Sequence, residues 1–379
     1  MNLDEALEAF VSASADARAK DARLSELLPQ VLRLSKGQPK VVVDRVLRRL
    51  LDATNAPHPQ AAGLVALLSG CVVEEGADPE LAVKVLVPRL EAALTAARSV
   101  VDAATNLDEV ETENEQAETV EVANRLVFAR EWDAIVDSDS LGAQSLLAID
   151  HFCQPLIAAL SRKPDLLKSS SVQALLAPLT HFSDASMYSH FLARLLRVPI
   201  DEEWFILDPQ GCRGFALQVT GVANAFQVYA LLHAVLCGVP RSITHWSRPV
   251  RGPQPPSMVL AVADGSGPQE APGSYVPPFT LFRWSAMDHP GKIPGFDDHR
   301  EWYSNSAGPA ELARFGEARI GILGDVGFRM EFGLAREFAA LRASVTLMRQ
   351  LDRRHVVELF HAFGREVHPG HPIPGVGWP

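Results

Sequence analysis

Residues 214–240 read GFALQVTGVANAFQVYALLHAVLCGVP and carry no formal charge over 27 consecutive positions. The stretch is longer than a membrane span, yet Gln218, Thr220, Gly221, Asn224, Gln227 and His233 interrupt it. GFALQVTGV reads as a strand and ANAFQVYALLHAVLCG as a helix stopped by Gly238. The expectation is a buried strand feeding a buried helix, and no membrane span.

On either side of this stretch the second half keeps a mixed texture. EEWFIL (202–207) is a compact aromatic run ending in the turn DPQG, and SMVLAVAD (257–264), PFTLFRW (278–284) and ARIGILGD (318–325) are three further strand candidates. REFAALRASVTLMRQLDRRHVVELFHAFGREV (336–367) reads as helical, with a split near Asp352. Eight prolines between 249 and 278 predict long irregular loops around one short strand, and the tail GHPIPGVGWP is not helical. Residues 201–379 are therefore expected to form an α+β domain.

The first 200 residues read as helix after helix. Gly37 and Pro39 end the first helical stretch; VVVDRVLRRLLDA and AAGLVALLSGCVVEE follow. DPELAVKVLVPRLEAALTAARSVVDAA opens with Asp78 as N-cap and Pro79 at the first helical position, and Pro88 within it predicts a kink or a break. Residues 106–121 hold seven acidic residues and no basic one, which reads as an acidic loop or as the acidic first turn of the next helix. Helices resume after it, and no repeat of fixed period is found, so residues 1–200 read as an irregular bundle or solenoid packed on the second domain.

Bulk composition excludes some functions. The formal net charge is −11, with 28 Asp/Glu against 19 Lys/Arg in residues 1–200 and 18 against 16 in the rest. An acidic chain with no basic stripe is a poor partner for a phosphate backbone, so no nucleic-acid binding is expected. Cys71, Cys153, Cys212 and Cys237 form no Cys-x-x-Cys pair and read as buried thiols of a reducing compartment. MNLDEALEAF is acidic and amphipathic rather than a signal peptide, so the expected location is cytoplasmic.

Gly214-Phe215, GVANAFQVYALL, Trp284, Pro290, Ile293-Pro294 and RIGILG together resemble a pattern in uncharacterised bacterial proteins of similar size. The resemblance covers about residues 204–330 and implies an α+β domain without implying an activity. The chain departs from the pattern at Asn224-Ala225, near which an acidic residue would be expected.

Candidate chemistry concentrates in MDHPGKIPGFDDHREW (287–302). Asp288, His289, Asp297 and His299 could converge on a divalent metal if the intervening turn closes like a hairpin, and His289, Asp298 and His299 could serve acid–base catalysis. Asp beside Pro and Gly is also ordinary turn chemistry, and the spacing matches no metal signature, so a structural turn is the preferred reading. His368 and His371 stand in an extended tail. Asp150, on the apolar stripe of Leu146, Cys153, Ile157 and Leu160, needs a partner, for which His181, His190 or an Arg is suited. RIGILGDVGF spaces Gly321, Gly324 and Gly327 as a tight turn, not as a dinucleotide-binding loop.

Five of the six tryptophans, Trp204, Trp246, Trp284, Trp302 and Trp378, lie in the second half, several beside arginines. Trp and Arg are enriched at interface hot spots, so Trp246, Arg248 and Trp302 are the expected contacts for a protein partner. Two functions follow. The first is a non-enzymatic interaction or assembly protein needing no cofactor, with room for a homo-oligomer. The second is a metal-assisted or acid–base enzyme using the 288–299 loop.

Overall fold

Proline is tolerated where a helix begins, because the first-turn N–H groups have no intrahelical acceptor. Helices of the first unit start in that way: α3 (Lys40–Ala53) directly after Pro39, α4 (Pro59–Glu74) and α5 (Pro79–Glu111) on their own prolines. They belong to a computed structural model that describes residues 1–15, 21–56, 58–111, 140–208, 213–237, 253–283, 308–312, 314–324 and 330–362. The chain divides into two compact units, Met1–Leu196 and Arg197–Pro379.

The first unit is helical throughout its described residues. It opens with α1 (Leu3–Ala15) and α2 (Asp21–Ser35) and, after α5, continues with α6 (Ser140–Arg162), α7 (Ser170–Gln173), α8 (Leu176–His181) and α9 (Met187–Leu196). Asp78 caps α5 by accepting the Glu80 N–H at 3.0 Å. Of the kink or break expected at Pro88, the break does not occur: α5 runs on through it for 33 residues. Leu86, Val87, Leu90, Leu94 and Ala97 are buried along it, and that packing outweighs one missing backbone bond. Residues 106–111, expected in an acidic loop, are the end of the same helix, since extending a formed helix needs no new nucleus.

Helix α6 is the buried centre of this unit and packs against α4 and α5. Gly63 and Gly70 let α4 approach it. A Cβ on Gly63 would lie 3.0 Å from the His151 Cβ, and one on Gly70 would lie 2.7 Å from the Pro155 Cα. The two glycines are seven residues apart and so share one face of α4.

In the second unit the expected strand and helix of the charge-free stretch are β2 (Arg213–Thr220) and α10 (Ala225–Cys237). With β1 (Glu202–Asp208), β4 (Thr280–Arg283), β6 (Ala318–Gly324) and β8 (Ser344–Leu351), β2 forms a sheet in the order β4-β6-β1-β2-β8. The β1–β6 pair is parallel and the others antiparallel; the short β5 (Arg314–Phe315) also pairs with β6. A second, two-stranded sheet joins β3 (Glu270–Tyr275) to β7 (Phe332–Ala335). The unit is α+β.

Side chains alternate across each strand, so one face of the sheet carries Trp204, Ile206, Phe215, Leu217 and Val219. They share a core with Phe226, Tyr229 and Leu232 of α10 and with Val259 and Val262 of α11 (Ser257–Asp264). Helix α12 (Arg353–Ala362) packs on β2, and Phe205 of β1 meets its His355 edge-on.

Two expectations need correction. SMVLAVAD, read as a strand, is helix α11: an eight-residue apolar run does not separate strand from buried helix by periodicity. Its flanks favour the helix, with Pro256 before it and Gly265 in the left-handed region (φ 86°) after it, and Val259, Val262 and Ala263 are buried at helical spacing. Within 336–351, read as helical, residues 336–343 are irregular and 344–351 are the strand β8; only α12 agrees. Val345 and Leu347 of β8 face Val219 and Leu217 of β2, so tertiary pairing overrides the helical pattern.

Candidate functional site

Asn224 begins α10 by accepting the Gln227 N–H on its Oδ1 at 3.0 Å, and the Gln227 Oε1 accepts the Ala223 N–H at 2.9 Å. This reciprocal cap leaves the Gln227 amide free to donate to the Ala263 carbonyl at 2.8 Å, where α11 ends. The helix start is thereby pinned, and with it the two polar groups one and two turns further on.

Those groups are Tyr229 and His233, four residues apart on one face of α10. The Tyr229 hydroxyl accepts the Leu281 N–H of β4 at 3.0 Å. Tyr275 of β3 donates its hydroxyl to the Tyr229 carbonyl at 3.3 Å and lies 2.9 Å from the His233 Nδ1. The tautomer of the ring decides whether the Tyr275 hydroxyl donates to Nδ1 or accepts from it. Nε2 makes no hydrogen bond among the described residues, although the ring is only 5% exposed. Phe226, Phe279 and Phe332 wall the group, with ring centroids 5.1–6.4 Å from the rings of Tyr229, His233 and Tyr275.

Burial sets the protonation states. It holds His233 below the ordinary imidazole range, against a smaller opposing effect of the Pro253 carbonyl. Burial also pushes both phenols upward, and at Tyr275 the nearby Tyr229 and Cys237 act in the same direction. The site therefore presents a neutral imidazole and two neutral phenols. It can hold hydrogen bonds across the core; two phenols raised by burial are poor acids or bases near neutral pH.

Several charged groups of this unit are also held by hydrogen bonds. Arg319 on β6, 7% exposed, donates from Nε to the Glu202 Oε2 at 2.7 Å and from Nη1 to the carbonyls of Ala310 and Leu312 at 3.0 and 3.1 Å. Arg314 also binds Glu202, and Arg213 pairs with Asp208, its Nε at 3.1 Å. Arg336, 5% exposed, donates to the carbonyls of Ala339, Leu341 and Gly267 at 2.8–3.3 Å. Asp264 accepts the Ser266 N–H at 2.6 Å.

In the helical unit Asp150 finds partners other than the expected histidines. Its Oδ1 accepts the Ser186 hydroxyl and, at 3.2 Å, the Tyr188 N–H, so α6 caps the start of α9. His181 instead lies 2.9 Å from Asp102 at the surface, and His190 is exposed against Phe191. Burial raises the Cys153 thiol, which sits 3.9 Å from the Ser189 hydroxyl.

Asp288, His289, Asp297, Asp298 and His299 lie outside the described residues, as do Trp246, Arg248, Trp302, His368 and His371. Among the described residues no group of three or more His, Cys, Asp or Glu side chains could hold a metal ion, and no helix is long and apolar enough to cross a membrane. Trp204 is a core residue, 1% exposed, its indole N–H 3.4 Å from Glu202. Sequence reading missed the Tyr229–His233–Tyr275 network; the available signal was Tyr and His at helical spacing inside a charge-free helix. No family model, curated protein or solved structure matches the chain.

Proposed function

We propose that this protein is a non-enzymatic interaction or assembly component that binds a protein partner through its α+β unit, with Trp246, Arg248 and Trp302 as contact residues. What supports this reading is how the described acids and bases of that unit are engaged. His233 bonds Tyr275, Asp208 bonds Arg213, Glu202 bonds Arg319, and Asp264 accepts the Ser266 N–H. Groups tied into a fold in this way raise its specificity and leave little freedom for proton transfer or nucleophilic attack.

The test is co-purification from the native host, comparing wild type with Trp246→Ala and Trp302→Ala. The expected result is a partner enriched with wild type and lost or weakened with both variants. Stoichiometric bound metal that is lost on His289→Ala or His299→Ala, together with turnover of a small molecule, would establish the enzymatic alternative instead.

A further inference from the structure

We draw no further inference here: the strongest candidate, the buried His233 Nε2 on α10 within the wall of Phe226, Phe279 and Phe332, belongs to the site already described, and nothing among the described residues shows what would reach it.

Discussion

Both units carry exposed ion pairs, but the α+β unit also holds charged groups inside. In the helical unit the ion pairs Arg49–Glu8 (2.8 Å), Arg45–Asp4 (3.0 Å) and Lys163–Glu80 lie between side chains that are all largely exposed. In the α+β unit, Arg319 and its partner Glu202 keep only 9% and 19% of their side chains exposed, and Arg336 is buried too. The cause is backbone accounting. A helix satisfies its own N–H and C=O groups, so its charged side chains are free to face water. The irregular segments around 265–267, 310–312 and 339–341 leave carbonyls inside, and Arg319 and Arg336 donate to them. A charge at the surface of the first unit decorates it. A charge inside the second unit holds loops in place.

The contrast is most exposed to test at its two arginines. Arg319→Ala removes one of the two arginines on Glu202 and uncaps two buried carbonyls; breaking a buried pair costs about 3–5 kcal/mol, and Arg314, which stays on Glu202, holds the loss to the low end of that range. Arg49→Ala removes only a surface pair and should leave the denaturation midpoint within error of wild type. Urea unfolding of both variants, followed by circular dichroism, decides the matter: similar losses would erase the distinction between the units.

The helical unit has its own point of rigidity, which is steric. Gly70→Ala places a methyl group 2.7 Å from the Pro155 Cα, where backbone rather than a side-chain tip would have to move. Overpacking of that kind costs about 1–3 kcal/mol, against the gain in helix propensity that alanine ordinarily brings. Unfolding of Gly70→Ala beside wild type would show whether the α4–α6 approach is as close as the geometry requires.

The smallest effect concerns pH. Burial lowers the His233 pKa in the folded state, so the unfolded ring binds a proton more readily than the folded one. The stabilising contribution of the neutral ring is then complete above the unfolded value, about 6.5, and falls as the pH drops below it toward the folded pKa. Wild type should lose stability between pH 7.5 and 5.5 more steeply than His233→Gln. Parallel slopes would mean that the imidazole carries no such linkage.

Helical periodicity and one cap made the first unit readable: α5 begins where Asp78 and Pro79 predict, and α3 and α4 begin within two residues of the helical stretches read from Val41 and Ala61. The charge-free run 214–240 likewise announced β2 and α10, because a segment without charge has to be buried and its period separates strand from helix. The readings fail where local sequence is ambiguous between two regular states. SMVLAVAD became a helix, and SVTLMRQL, embedded in helix-forming sequence, became the strand β8 because β2 offers it a ladder of backbone bonds and apolar partners. Legibility of the site was lower still. His233 stood out in sequence only as an interruption of an apolar run, and nothing there pairs it with Tyr275, 42 residues away.

By itself, then, the sequence determined that the charge-free segment is buried and that Asp78 and Pro79 open α5, since burial and capping depend on residues close together in the chain. Only the tertiary structure decided that Asp150 caps α9, that Arg319 and Arg336 close loops, and that Val345 and Leu347 pack on the core of Leu217 and Val219. Each of these joins groups brought together by folding, and a hydrogen bond or an apolar contact depends on distance in space, which spacing along the chain does not encode.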